Sequence, residues 1–180
     1  MPLSPLPVRL DPEVLSLKLK VEVVRSKRRR TTIEATREGN KVVVRLSATL
    51  TKAEQRRWVA EMVGRIEQTE HLSRLNEKRD LEKRARELHQ RYFQSRPALR
   101  SIKYVANQRD RYGSCTPADA TIRLSHVLAD FPDWVRDYVI VHELAHLRVA
   151  DHSSYFWQLV RRYPHAERAR GFLIAKGIEE

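Results

Sequence analysis

The stretch DWVRDYVIVHELAHL at residues 133–147 decides the fold of this 180-residue chain. It is apolar on nearly all sides of a helix, and such a helix is typical of a protein core. Within it, His142 and His146 stand four residues apart, so both side chains project from the same helix face. Imidazoles at this spacing can reach one zinc ion at about 2.0–2.1 Å. The stretch therefore predicts a buried helix that carries two ligands of a metal site.

Two more residues extend this pattern. Glu143 lies on the same flank of the helix, behind the metal, where a carboxylate can take a proton from a zinc-bound water. His152 follows His146 by six residues and is well placed to be the third protein ligand. A catalytic zinc has three protein ligands and an open fourth position, whereas a structural zinc is closed. The pattern predicts a zinc-dependent metallohydrolase, and the alternative is a set of hydrogen-bonded polar groups in a core.

Composition sets the broad class of the protein. Hydrophobic residues make up 41% of the chain and charged residues 32%, which is typical of a folded globular protein. No apolar stretch is long enough to span a bilayer, and residues 1–7 lack the basic start and apolar run of a signal peptide. The single cysteine, Cys115, excludes an intramolecular disulfide and agrees with a reducing compartment. We therefore expect a cytoplasmic protein with no membrane partner.

The positive charge of the chain is concentrated in its first half. Residues 1–98 hold 23 Lys and Arg against 13 Asp and Glu, a net charge of +10, whereas residues 99–180 hold 12 against 10, a net charge of +2. A basic half beside a nearly neutral one suggests an anionic partner such as a nucleic acid, a nucleotide or an acidic protein. A well-solvated surface is the equal alternative, because charge alone is weak evidence for a partner.

The pattern of residues 1–71 predicts a basic, β-rich section with one helix. Alternating apolar residues predict a small antiparallel sheet with strands at about 17–25, 31–37 and 41–47, the last two joined by a turn at Gly39. Thr51 and Glu54 form a capping box, so a helix begins there and runs to about residue 71.

The rest of the chain predicts two further sections. Residues 72–98 predict a bridging helix, largely exposed because its apolar stripe is narrow. Residues 99–180 predict a metallohydrolase unit with strands at about 102–107 and 120–125, a turn at 112–115, and the metal-binding helix packed on this short sheet. The predicted fold class is α+β.

Beyond the two histidines, several motifs resemble the YgjP-like family of zinc metallopeptidases, which are related in fold to the SprT-like proteases and other short zincins. The resemblance is dense over about residues 99–175 and looser before them. The family usually has Trp where this chain has Tyr112, a change between two large aromatic residues with a polar tip, so we expect a change of packing and no loss of the site. The matching segments are RYGSC at 111–115, YVIVHELAHL at 138–147, DHS at 151–153 and FW at 156–157.

The resemblance implies a site and a way of binding substrate. It implies His142, His146 and His152 as zinc ligands and Glu143 as general base. It also implies an edge strand near residues 120–125 beside the cleft, where zincins bind an extended substrate by strand addition.

Four residues near the motif have open roles. Cys115 is a fourth zinc ligand, a regulatory thiol or, as for most lone cysteines, a small buried residue in a turn. The arginines could bind a phosphate or carboxylate or stabilise an oxyanion, and each is equally explained as a surface or structural charge. They are Arg109, Arg111 and Arg123.

Three functions are consistent with these residues. The first is a zinc-dependent peptidase acting on peptides or proteins, in which Glu143 accepts the proton of the attacking water and passes it to the leaving amine. The second uses the same site to hydrolyse a nucleotide phosphoanhydride, although the chain has no Gly-rich phosphate loop. The third is a basic nucleic-acid-binding module with a structural metal. A peptidase that acts near nucleic acid combines the first and the third.

Overall fold

The computed structural model describes residues 20–28, 32–78, 80–94, 99–108 and 110–177. The chain forms two compact units, Met1–Glu67 and Gln68–Glu180. Over the described residues the units contain two three-stranded sheets and five α-helices, which confirms the α+β class. The division into sections 1–71, 72–98 and 99–180 stays a prediction.

The sheet of the first unit has strand order β1-β3-β2, with β1 Lys20–Ser26, β2 Glu34–Glu38 and β3 Lys41–Ser47. Strands β2 and β3 form the predicted hairpin, with Gly39 at φ 60° in its two-residue turn. Strand β1 pairs in parallel with β3, so the prediction of a wholly antiparallel sheet is wrong. Side chains alternate in the same way in both kinds of pairing, and the sequence pattern therefore does not determine strand direction. Residues 17–19 and 31 of the predicted strands lie outside the described part of the chain.

Helix α1, Lys52–Lys78, begins at the predicted capping box. The Thr51 N–H donates to Oε2 of Glu54 at 2.8 Å, and the Glu54 N–H donates back to Oγ1 of Thr51 at 3.3 Å. In the first unit its apolar side chains cover one face of β3, and the residues in contact are Val42, Val44, Leu46, Val59, Met62, Val63 and Ile66. The helix continues past residue 71 because no Gly or Pro follows until the next helix begins.

Helix α2, Leu81–Phe93, begins at Asp80, whose side chain accepts a hydrogen bond from the Lys83 N–H at 2.9 Å. The prediction that this helix is largely exposed is wrong. Its apolar residues Leu81, Ala85, Leu88 and Phe93 are buried in the core of the second unit. A narrow stripe suffices because α2 packs mainly on helix α3, Asp133–His146, and on strand β4, Ser101–Val105.

The sheet of the second unit has strand order β4-β6-β5, with β4 Ser101–Val105, β5 Gly113–Thr116 and β6 Thr121–Ser125. Residues 113–116 are therefore a strand and not the predicted turn, because four residues are too few to show an alternating pattern. Strand β6 lies in the centre, between parallel β4 and antiparallel β5, so the expectation of an edge strand at 120–125 is wrong. That edge belongs to β5.

The opposite edge of this sheet meets a side chain from α1. The Tyr104 N–H on β4 donates to Oδ1 of Asn76 at 2.8 Å, and Nδ2 of Asn76 donates to the Tyr104 carbonyl at 3.2 Å. The amide of Asn76 thus pairs with Tyr104 as a neighbouring strand would.

Helix α3, Asp133–His146, is the centre of the second unit. It packs against α2, β5, β6, α4 (Ser154–Val160) and α5 (Ala166–Ala175), which confirms that the helix carrying the histidines lies on the short sheet. Its buried Asp137 pairs with the guanidinium of Arg84 on α2, with Nε 3.0 Å from Oδ1 and Nη2 bound to Oδ2. None of the described helices combines the length and hydropathy that crossing a bilayer requires.

Candidate metal centre

Three histidines converge at the carboxyl end of α3. His142 and His146 lie on its last two turns, and His152 lies in the segment that leads to α4. The Nε2 atoms of His142 and His146 are 3.2 Å apart, and Nε2 of His152 lies 3.1 Å from each of them. Among the described residues, these three histidines are the side chains whose ligand atoms lie close enough together to hold one metal ion.

The spacing of these nitrogens fits a zinc ion. Tetrahedral zinc with Zn–N distances of about 2.0–2.1 Å requires ligand atoms about 3.3–3.4 Å apart, and the three observed separations are within about 0.3 Å of that value. Nδ1 of His146 donates to the carbonyl of Val149 at 3.0 Å, which leaves its Nε2 free of a proton, as a ligand nitrogen must be. Three neutral nitrogen donors are a common set for zinc.

The environment of the two histidines on α3, His142 and His146, favours their neutral form. Burial lowers the pKa of His142 to about 3, and the neighbouring His146 and His152 contribute to the shift. Burial also lowers the pKa of His146. The two imidazoles on α3 are therefore neutral at neutral pH, and the neutral imidazole is the form that binds metal.

Aromatic rings of α4 support the three imidazoles. The ring of Phe156 stacks on His146 with centroids 4.4 Å apart, and it contacts His142 edge-on at 4.8 Å. The ring of Trp157 stacks on His152 at 5.6 Å with an interplanar angle of 23°. His142 is buried and is held by its surroundings. His152 is exposed, so the stacked ring of Trp157 is a main contact that orients its imidazole.

Glu143 lies beside the histidines and is 5% exposed. Its side chain lies against Gly113 at the start of β5, so closely that a Cβ at Gly113 would stand 2.8 Å from Cγ of Glu143. Glu143 and the three histidines line one cleft of about 580 Å³. A carboxylate beside three converging imidazoles in an open cleft can exchange protons with a water or substrate there.

The cleft brings together most of the residues that the sequence singled out. Strand β5 contributes Gly113, Ser114 and Cys115 to its wall, and Arg111 lies at its rim. Burial, with a contribution from Glu143, raises the pKa of the Cys115 thiol to about 12. Cys115 is thus a half-buried thiol that is protonated in the metal-free protein, and it is not in the group of side chains whose ligand atoms converge at the three histidines.

Of the other two arginines, the structure describes Arg123. Arg123 is exposed on the central strand β6, opposite Ser114 of β5, and is not among the residues that line the cleft. Arg109 lies outside the described residues. Tyr112, the residue that departs from the family pattern, is buried and packs edge-on against Phe131 at 5.7 Å.

Sequence reasoning missed Gly113 and Trp157 as parts of the site. Gly113 belongs to the RYGSC motif, but its contact with Glu143 joins two elements that are 30 residues apart. Trp157 follows His152 by five residues, and an aromatic residue at that distance is usually a packing residue. The signal that could have identified both residues was their position in the RYGSC and FW segments, which resemble the family. The chemistry of the two side chains gave no such signal.

Comparison with known protein families matches residues 17–174 to the family described as "YgjP-like, metallopeptidase domain". Among solved structures, the crystal structure of the metallopeptidase zymogen of Pyrococcus abyssi abylysin is similar to this chain. The sequence identity is 21% and the TM-score 0.46, over 53% of this chain and 93% of that chain. Among curated proteins, no match is found. The family match includes all three histidines, Glu143 and the RYGSC segment.

Proposed function

The chain belongs to the YgjP-like metallopeptidase family, and from this premise we propose that it is a zinc-dependent peptidase with His142, His146 and His152 as ligands and Glu143 as general base. Family membership makes the protein a metallohydrolase. The observation that carries the finer assignment is the triangle of Nε2 atoms, 3.1–3.2 Å apart, with the Glu143 carboxylate lining the same cleft.

Each residue of the site has one task in this proposal. The three imidazoles would hold a zinc ion, which would supply the Lewis acidity that makes water a nucleophile at neutral pH. The Glu143 carboxylate takes the proton of the attacking water and later gives it to the nitrogen of the leaving amine.

The substrate is an extended segment of polypeptide in this proposal. Strand β5 is an edge strand of its sheet, and three of its residues line the cleft. An extended peptide can pair with the free N–H and C=O groups of an edge strand, which places its backbone along the cleft. This transfers to β5 the role that the family resemblance had implied for residues 120–125.

Zinc content and turnover test the proposal together. The purified wild type should hold about one zinc per chain, and His142→Ala, His146→Ala and His152→Ala should each hold less. Glu143→Gln should retain zinc and lose most cleavage of an unstructured fluorogenic peptide. Full zinc content in all three histidine variants would reject the ligand set, and full activity of Glu143→Gln would reject the general base.

The two other functions are nucleotide hydrolysis and nucleic-acid binding, and both were suggested by the positive charge of the chain. Both can be assayed with the same purified proteins. A panel of nucleoside triphosphates, assayed beside the peptide, tests hydrolysis of a phosphoanhydride. Binding to DNA and RNA, measured at several salt concentrations, tests whether the basic first half of the chain meets nucleic acid. A cytoplasmic location stays a prediction, supported by the single cysteine.

A further inference from the structure

The backbone conformation at Gly113 does not require a glycine. It opens β5, where it pairs with Leu124 of the central strand β6. The glycines with positive φ are Gly39 and Gly177, so Gly113 has a backbone conformation that other residues adopt readily. The reason for a glycine at this position must therefore lie in its surroundings.

Those surroundings are the side chain of Glu143. A Cβ at Gly113 would stand 2.8 Å from Cγ and 2.9 Å from Cδ of Glu143, and closer still to Oε1, whereas real Cβ atoms essentially never come within 3.0 Å of another heavy atom. A Cβ at any of the other four glycines of the chain would meet nothing within 4 Å. The close approach is specific to the residue to which we assign proton transfer.

The backbones of β5 and α3 are both fixed by their neighbours, so neither can shift to accommodate a Cβ at position 113. Strand β5 is fixed by its pairing with β6, and the Tyr112 carbonyl just before Gly113 accepts a hydrogen bond from the Ser125 N–H at 2.8 Å. Glu143 lies in the last two turns of the core helix, between the buried His142 and Leu144. A methyl group at position 113 would therefore force Glu143 into another side-chain rotamer and move its carboxylate.

We propose that Gly113 is a positioning residue: its missing side chain keeps open the space that holds the Glu143 carboxylate beside the three histidines. This inference rests on the proposed function, because it explains how the general base is kept in place. A displacement of a reacting group by about 1 Å can cost about 10²-fold in rate.

The first test compares Gly113→Ala with Gly171→Ala, an exposed glycine of α5 with open space around it. Gly113→Ala should lower kcat for the fluorogenic peptide by about 10²-fold with little change in KM and with full zinc content. Gly171→Ala should keep both kcat and zinc. In the Glu143→Gln background, Gly113→Ala should cause no further loss of the residual rate, because the group it displaces no longer transfers protons. An equal loss in both backgrounds, or full activity of Gly113→Ala, would overturn the inference.

The second test needs no activity and applies even if Gly113→Ala folds poorly. The melting temperature of the zinc-free protein is measured for the wild type, Gly113→Ala, Glu143→Ala and the double variant. Gly113→Ala should lower Tm by about 4 °C or more when Glu143 is present and by about 1 °C or less when Glu143 is alanine. Equal losses in the two backgrounds would overturn the inference. Full activity of Glu143→Gln would reject the proposed general base while leaving this thermal comparison intact, so the two failures are distinguishable.

Discussion

Trp157→Ala should weaken zinc binding without removing a ligand. The indole ring stacks on the exposed imidazole of His152, and the guanidinium carbon of Arg170 lies 5.3 Å from the centre of the same indole. His152 is the ligand candidate in the loop after α3, whereas His142 and His146 are fixed by the helix. Truncation of Trp157 therefore lets the imidazole of His152, which keeps an edge-on contact with Phe156 at 4.7 Å, adopt more orientations before a metal binds.

The size of the effect follows from two contributions. A stacked aromatic pair is worth about 0.5–1.5 kcal/mol beyond its buried area. Ordering a side chain that is otherwise free costs about 0.5–1.5 kcal/mol when it must be immobilised on binding. Their sum, about 1–3 kcal/mol, corresponds to zinc binding weaker by about 5- to 150-fold. This range includes the 10- to 100-fold typical of residues that support a metal ligand.

The measurement is a titration of metal-free protein with zinc in competition with a chromophoric chelator. Trp157→Phe keeps a ring on His152 and should bind zinc with an affinity between those of the wild type and Trp157→Ala. Trp58→Ala, in α1 of the first unit, should bind zinc as the wild type does. Wild-type affinity in Trp157→Ala, or no difference between the Phe and Ala variants, would refute the role of the stacked ring.

Three further outcomes are expected. Asp137→Ala should lower the free energy of unfolding by about 1.5–3 kcal/mol in a urea titration, the worth of hydrogen bonds to a charged group, because Arg84 is 41% exposed and still pairs with Glu87 at 3.1 Å; unchanged stability would contradict this. The pKa of about 12 keeps the Cys115 thiol protonated, so its alkylation by iodoacetamide should keep accelerating above about pH 10, where an ordinary thiol reaches its plateau; a plateau near pH 10 would be the wrong result. Zinc at about 100 times its Kd should raise the free energy of unfolding of the wild type by about 2.7 kcal/mol and that of His142→Ala by much less; equal gains would argue against His142 as a ligand.

The sequence predicted those features that depend on residues close together along the chain, namely helix starts, helix faces and the spacing of the histidines. The spacing of His142 and His146 and the apolar run around them predicted a buried helix with both imidazoles on one face. The capping box at Thr51 located the start of α1. His152 could be included because a few residues after the helix suffice for the chain to turn back.

What the sequence did not predict depends on contacts between distant elements. The alternation of Val21 and Val23 is the same whether β1 runs parallel or antiparallel to β3, so strand direction was assigned wrongly. Strand β5 is too short to show a period, although it forms the edge beside the cleft. The approach of Gly113 to Glu143 is a tertiary contact that no local pattern contains.

The side-chain amide of Asn76 gives the second sheet two unlike edges. At β4 it occupies both hydrogen-bonding groups of Tyr104, so a stray extended chain finds that position already taken. At β5 the open edge leads directly into the cleft. One edge of the sheet is thus blocked at Tyr104, whereas the other edge stays available for the strand addition proposed above for the substrate. A single side-chain amide therefore hinders the pairing of an extended chain at β4 and leaves β5, beside the cleft, as the favoured edge for such pairing.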